Sequence, residues 1–394
     1  MAKRYEILVL NQISPVGLKR FPAEAYSVTK DAARPDAILV RSADMHAMAI
    51  AETVKAIGRA GAGTNNIPVP ALNKRGVPVF NAPGANANAV KELVVAGMLI
   101  AARNLVPAVQ FVAALQGDDA AVARRIEDEK KRFAGIELPG HTLGVIGLGK
   151  VGSLVADAAI RLGMHVVGYD PEITVDAAWS LPSQVRKAHS IDEVLKGSHF
   201  VTVHVPLTDG TRGLIDARKL AHPRAGAILL NFSREGIVDE GAVLEALASH
   251  RLRSYVTDFP TAALAGHPGV IALPHLGAST REAEDNSAVM VVDQVRDYIE
   301  HGNIRNAVNF PEVVMDRESP YRVAIANANV PNMVGQISTA MARAGLNIHN
   351  MLNKSKGEMA YTLVDVDSRV PPDVIDTIRR IDGVLAIRYL PLEA

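Results

Sequence analysis

The chain has 394 residues, too many for one ordinary hydrophobic core, which points to two or three domains. Hydrophobic residues make up 48% and charged residues 21%, and 42 basic residues balance 42 acidic ones. Zero net charge leaves no electrostatic footprint for nucleic acid or a membrane surface, and the absence of cysteine excludes disulfides, thiolate catalysis and cysteine-ligated metal. The N-terminal "MAKRYEILVL" has too short an apolar run for a signal peptide and reads as a first strand. Near-continuous apolar runs at 5–10, 36–41, 54–61 and 77–84 each end in Gly, Pro or polar residues. Such runs mark parallel strands covered on both faces by helices. The longest apolar stretch, "LVVAGMLIAA" (93–102), falls well short of the roughly 20 residues that cross a bilayer and reads as a buried helix.

A second series of strand-like runs follows at 142–147, 165–170, 200–206, 227–233, 254–259 and 270–275. Strands alternating with helical patterns in two series predict two doubly wound α/β units with parallel sheets, Rossmann- or flavodoxin-like. After "AVNFPEV" (307–313) the polar "VMDRESP" (314–320) reads as a linker, and the pattern changes. The tail runs strand 321–327, helix 332–345, strands 347–355 and 359–367, helix 372–382 and strand 384–390. That order, βαββαβ, predicts a small ferredoxin-like domain.

The second series opens on "TLGVIGLGKVG", which holds Gly147, Gly149, Lys150, Val151 and Gly152 in the spacing GxGxxG. A strand precedes it, a helix follows, and the next strand delivers Asp170. The first glycine allows the tight turn, the second lets backbone approach a diphosphate, and the third permits close helix–strand packing. The helix N-terminus offers amides to the anion, and a carboxylate about 20 residues on suits ribose hydroxyls and repels a 2′-phosphate. NAD is therefore the expected cofactor. No metal constellation is present: His199 and His204 are an odd number of residues apart on a strand, hence on opposite faces. His275 stands where the last apolar run, "VIALPH", breaks into a loop; twelve histidines in the chain leave a strand-end histidine undecided by itself.

The matches continue in order: "GAGTNNI" (61–67), "NAPGANANAV" (81–90), "YDP" (169–171), "HVPLTDGTRGLI" (204–215), "NFSREGIVDEGAV" (231–243), "LPHLGAST" (273–280) and "AVNFPEV". Together they resemble the D-isomer-specific 2-hydroxyacid dehydrogenases over nearly the whole length, within them the branch that oxidises 3-phosphoglycerate. The resemblance implies that His275 takes the hydroxyl proton, chemistry that suits an imidazole with an ordinary pKa near 6.5. It gives Arg234 the substrate carboxylate, which a guanidinium can bind through two parallel hydrogen bonds. It places His204, Val205, Pro206, Thr211, Phe232, Ser233, Arg234, Asp258, His275 and Gly277 around the cofactor, and Arg41, Ser42, Ala62, Gly63 and Asn86 around the substrate. Glu235 and Asp239 read as surface or turn residues, and Lys91 stands where the family has a small residue.

One part departs from the family. Members usually carry a glutamate after the "DVFP" loop, paired with the catalytic histidine; here "TDFPTAALAGHPG" puts Ala262 there, and no acidic residue lies between Asp258 and Glu282. The same loop leaves two alignments for the family aspartate near nicotinamide, Asp258 or, without a gap, Thr257. Either another carboxylate serves His275 or the histidine acts alone.

The tail, "ANANVPNMVGQISTAMARAGLNI", resembles an ACT domain, which implies an amino-acid effector such as L-serine held by Asn327, Asn329 and Asn347. Asparagine amides suit a zwitterion, and equally they cap helices and end strands. The expected boundaries are a discontinuous substrate domain (1–92 and 283–312), an NAD-binding domain (93–282) and a regulatory domain (320–394). The implied assembly is a homodimer or homotetramer in the cytosol. Another D-2-hydroxyacid dehydrogenase and a catalytically silent NAD-sensing protein remain as alternatives.

Overall fold

The computed structural model describes residues 4–392; the last two residues of the expected regulatory domain lie outside them. Two compact units emerge, Met1–Ala85 with Arg281–Ala394, and Asn86–Thr280. The cuts fall a few residues before the 92/93 and 282/283 read from sequence.

The first unit contains a five-stranded parallel sheet of β1 (Tyr5–Val9), β2 (Tyr26–Thr29), β3 (Ala37–Val40), β4 (Ala56–Arg59) and β5 (Val79–Phe80). Its order is β2-β1-β3-β4-β5. Alternate residues feed opposite faces: Ile7, Val9 and Leu39 join one apolar cluster, and Leu8, Ile38 and Val40 another. Both faces are therefore buried, as the unbroken apolar runs require. The first cluster packs on Ala288, Val291, Val292 and Val295 of the long helix Arg281–His301. The edge strand β2 was not legible, because its "YSVT" is half-polar and short.

The second unit holds seven parallel strands, β6 (Thr142–Ile146), β7 (His165–Tyr169), β8 (Val185–Lys187), β9 (Phe200–Val203), β10 (Ala227–Asn231), β11 (Leu252–Thr257) and β12 (Val270–Ala272). Their order, β12-β11-β10-β9-β6-β7-β8, reverses direction between β6 and β9, the switch point where doubly wound sheets open a crevice. The helix Ala87–Ala102 buries Val94, Gly97, Met98, Ala101 and Ala102, in keeping with a core helix. Among the described residues no single helix is long and apolar enough to cross a membrane.

The tail forms the expected antiparallel sheet of β13 (Tyr321–Ala328), β14 (Ile348–Lys356), β15 (Met359–Val366) and β16 (Val384–Pro391), in the order β14-β15-β13-β16. Helices Met333–Arg343 and Pro372–Arg379 bury Ile337, Met341, Val374 and Ile378 on one face of it. The opposite face is not solvated. Ala324, Ala326, Tyr361, Leu363 and Leu390 share the cluster of Val295, Tyr298, Ile299 and Phe310.

Arg322, fully buried, spends all five guanidinium donors there. Nε and Nη2 hold the two oxygens of Asp365 at 2.6 and 2.8 Å, and the remaining donors reach the carbonyls of His301, Met315 and Asp316. Arg388 donates to the carbonyls of Tyr298 and Ile299, and Tyr361 to that of Gly302. The sheet thus caps the last turn of Arg281–His301, whose carbonyls have no partner within the helix. This corrects the reading of 314–320 as a loose linker: Met315 and Ser319 are buried, and the segment is tied into the sheet.

Candidate active site

β6 runs into Gly147, whose φ of +90° belongs to the left-handed side that glycine tolerates. A Cβ there would lie 2.8 Å from the His204 carbonyl carbon, and one on Gly152 would overlap the Gly147 carbonyl oxygen, so neither position admits a side chain. Over Gly149 the space is open to at least 4 Å. The helix Lys150–Arg161 begins there without a side-chain cap, so its first amides remain for an anion. Lys150 is exposed beside it, and Val151 packs on the core. Asp170, at the end of β7, accepts the Leu148 amide at 2.8 Å and the Glu172 amide at 3.0 Å. This carboxylate thus pins the glycine turn.

His204 follows β9; its amide donates to the Ile146 carbonyl at 2.7 Å and its Nε2 lies 2.9 Å from Thr202 Oγ1. Loss of hydration pushes this imidazole down to about 3, so it is neutral near pH 7. Val205 is half-buried and Pro206 exposed. Thr211 closes the following turn by accepting the Thr208 amide at 2.8 Å and donating to the Pro206 carbonyl. Phe232 is 5% exposed and packs in the cluster of Val94 and Met98, so its ring faces the core and only its backbone is left for a ligand. Ser233 Oγ donates to the Val203 carbonyl at 2.9 Å. Arg234 is exposed; its Nη1 donates to the Ser233 carbonyl at 2.6 Å, and its own carbonyl accepts from Asn231 Nδ2 at 3.0 Å.

β12 stops at Ala272, short of the run to 275: Pro274 has no amide to donate to the ladder, and His275 takes a left-handed φ of +55°. Its amide donates to the Asp258 carbonyl at 3.1 Å. Asp258 is 1% exposed, and its two carboxylate oxygens accept the amides of Leu276 at 2.7 Å and Gly277 at 2.8 Å. Thr257 is fully buried, its Oγ1 accepting the Phe259 amide at 3.1 Å. The His275 imidazole is exposed, with the Phe259 ring centred 4.9 Å away at 59°. Among the described residues the histidine ion pairs are His301–Glu300 and His349–Glu318, so His275 forms none. Ala262 is exposed on its loop.

In the first unit, Arg41 follows β3 and pairs with Glu284 at 2.8 Å, while its carbonyl accepts from Arg59 Nε at 3.0 Å. Both members of the Arg41–Glu284 pair are partly exposed, and such pairs contribute about 0–1 kcal/mol, so an anionic ligand can displace the glutamate. Ser42 is exposed, Gly63 is half-buried, and the Ala62 carbonyl accepts from Asn81 Nδ2. Asn86, in the second unit, precedes the helix Ala87–Ala102, and its side chain makes no capping bond. Lys91 lies 3.7 Å from Glu92.

Residues 95–277 match the model of the D-isomer specific 2-hydroxyacid dehydrogenase NAD-binding domain. The chain belongs to this dehydrogenase family. It is 36% identical over 325 residues to the D-3-phosphoglycerate dehydrogenase of Methanocaldococcus jannaschii, covering 81% of this chain and 59% of that one. It is 35% identical over 341 residues to the D-3-phosphoglycerate dehydrogenase of Mycobacterium leprae, covering 84% and 60%. The chain thus spans about three fifths of the length of these relatives. A crystal structure of NAD+-bound 3-phosphoglycerate dehydrogenase from Entamoeba histolytica matches with a TM-score of 0.59 at 25% identity, over 78% of this chain and 99% of that one.

The three tail asparagines differ in access. Asn327 is 1% exposed in β13; its Nδ2 donates to the Ala328 carbonyl at 2.8 Å and its Oδ1 has no partner. Asn329 and Asn347 are exposed. Asn329 Nδ2 donates to Gly357, and the Asn347 backbone pairs with Asp367. Sequence reading missed Asn231, whose Oδ1 accepts the Ser233 amide and so shapes the arginine turn. It missed Arg59 and the ring of Phe259 as well. Each stands at the carboxyl end of a parallel strand, the one positional signal available.

Proposed function

We propose that this chain oxidises the C2 hydroxyl of 3-phospho-D-glycerate to 3-phosphohydroxypyruvate with NAD, the first step of L-serine biosynthesis. The observation that carries the reading is the pairing, on one parallel sheet, of an uncapped helix start above Gly149 with a histidine loop clamped by Asp258. The substrate assignment is supported by the relatives named above. The glycine turn, Asp170 and the helix amides at Lys150 and Val151 fit a dinucleotide, because the space over Gly149, where a diphosphate must approach, is open. Bound NAD supplies the acceptor for the hydride leaving C2.

The chain's own residues do the rest. Neutral His275 takes the hydroxyl proton as the carbonyl forms, and Arg234 binds the substrate carboxylate and steadies charge on the reacting oxygen. Arg41, Ser42, Ala62, Gly63 and Asn86 are assigned to the phosphate and carboxylate ends of the substrate. The tail is read as an ACT domain that binds L-serine through Asn329 and Asn347, and the protein as a cytosolic homodimer or homotetramer. NADH formation with 3-phosphoglycerate, D-lactate and D-glycerate tests the reading. Preference for another 2-hydroxy acid reassigns the substrate. NAD binding without turnover of any of them favours the NAD-sensing alternative, to which an exposed His275 without a carboxylate lends weight.

A further inference from the structure

His275 needs something to hold its imidazole. Its backbone is fixed twice over, by the Asp258 carbonyl and by the Asp258 carboxylate gripping the next two amides. That grip consumes both carboxylate oxygens and reaches the loop, not the ring. Among the described residues the ring that packs on it is that of Phe259, the residue next to Asp258. Phe259 is itself fixed, its amide bound by Thr257 Oγ1 at 3.1 Å. Two residues on, Thr261 Oγ1 donates to Glu240 Oε2 at 2.7 Å, anchoring the loop to the first turn of the helix Glu240–Ala248.

We propose that Phe259 is the positioning residue for His275, its ring orienting the imidazole by packing where relatives are expected to use a glutamate. A tilted aromatic pair at 4.9 Å is an attractive arrangement and restricts rotation of the histidine side chain. The carboxylates that anchor this loop are Asp258, committed to Leu276 and Gly277, and Glu240, committed to Thr261. Glu282, next along the chain after the loop, is the remaining acidic candidate in sequence.

The inference rests on the assignment of His275 as the proton acceptor, and its test separates the two. In the full chain, the His275 ring protons are followed by NMR through a pH titration in the wild type, Phe259→Leu, Phe259→Met, Phe259→Tyr and Glu282→Gln. Phe259→Met keeps the bulk, so a fold defect in the leucine variant does not stop the test. Losing the ring should abolish the ring-current shift of the histidine protons in both aliphatic variants, while tyrosine retains it and Glu282→Gln leaves it unchanged. The same variants assayed for NADH formation should show kcat reduced about tenfold with unchanged KM for NAD. A ring-current shift and kcat unmoved in Phe259→Met, or moved instead by Glu282→Gln, would overturn the proposal. Failure of the wild type to turn over would count against the functional reading, leaving the NMR outcome to decide the positioning claim.

Discussion

The carboxylate of Asp258 accepts the amide of Leu276 at 2.7 Å, and this bond joins the end of β11 to the loop that carries the histidine. A buried carboxylate with both oxygens engaged fixes backbone that would otherwise pay for its left-handed turn at His275.

Asp258→Ala should therefore abolish turnover almost as completely as His275→Ala, but by a different route. It leaves the Leu276 amide and the buried Gly277 amide unpartnered and should also lower the melting temperature by several degrees. His275→Ala should leave melting and NAD binding close to wild type, because its side chain is exposed. Thermal melts beside NADH assays check this. Equal melts for both variants would remove Asp258 from the loop's support.

Asp170 pins the Leu148 amide, and the proposed function also gives it the ribose hydroxyls. Asp170→Asn keeps an acceptor for the turn and removes the charge, so NAD binding should weaken modestly while discrimination against NADP relaxes. Asp170→Ala should weaken both cofactors further. Fluorescence titration with each dinucleotide measures the ratio, and a ratio unchanged in Asp170→Asn would take the carboxylate away from the ribose.

His204 gives a prediction about acid stability. Unfolded, it binds a proton below about pH 6.5; folded, its imidazole is pushed down to about 3. Between those values the unfolded state holds the extra proton, so stability falls as pH drops from about 6.5 toward 3. His204→Gln should flatten that part of the acid limb in denaturant melts. An unchanged slope would mean that the folded protein protonates His204 as readily as the unfolded chain does.

Much of this architecture was legible because parallel strands buried on both faces are continuous apolar runs, and because GxGxxG tolerates little but glycine at Gly147 and Gly152. What was not legible depends on contacts across sequence. The edge strands β2 and β8 have mixed polarity, and nothing in "VMDRESP" announces that Met315 and Asp316 offer their carbonyls to Arg322. The dual use of Asp258 and the ring of Phe259 were hidden for the same reason. A sequence shows which residue types stand at a strand end, but not which amides or rings the fold brings to them.

The Arg322–Asp365 pair has no exposed surface, so removing one partner strands a buried charge. Arg322→Met should destabilise the tail and its junction with the helix Arg281–His301 by about 3–5 kcal/mol. The double change Arg322→Met with Asp365→Leu should recover most of that loss. Hydrogen exchange of β13 and β15 amides reports it locally. A double variant as unstable as the single one would show that the lost carbonyl caps, rather than the stranded charge, dominate.

The most direct test of the account is the rate of NADH formation by the purified protein with NAD and 3-phosphoglycerate, compared with D-lactate and D-glycerate, in the wild type and in Arg234→Ala. The account predicts turnover that favours 3-phosphoglycerate, and a loss of about a hundredfold or more in kcat/KM for Arg234→Ala. Absence of NADH from every 2-hydroxy acid by a protein that binds NAD, or full activity in Arg234→Ala, would contradict it.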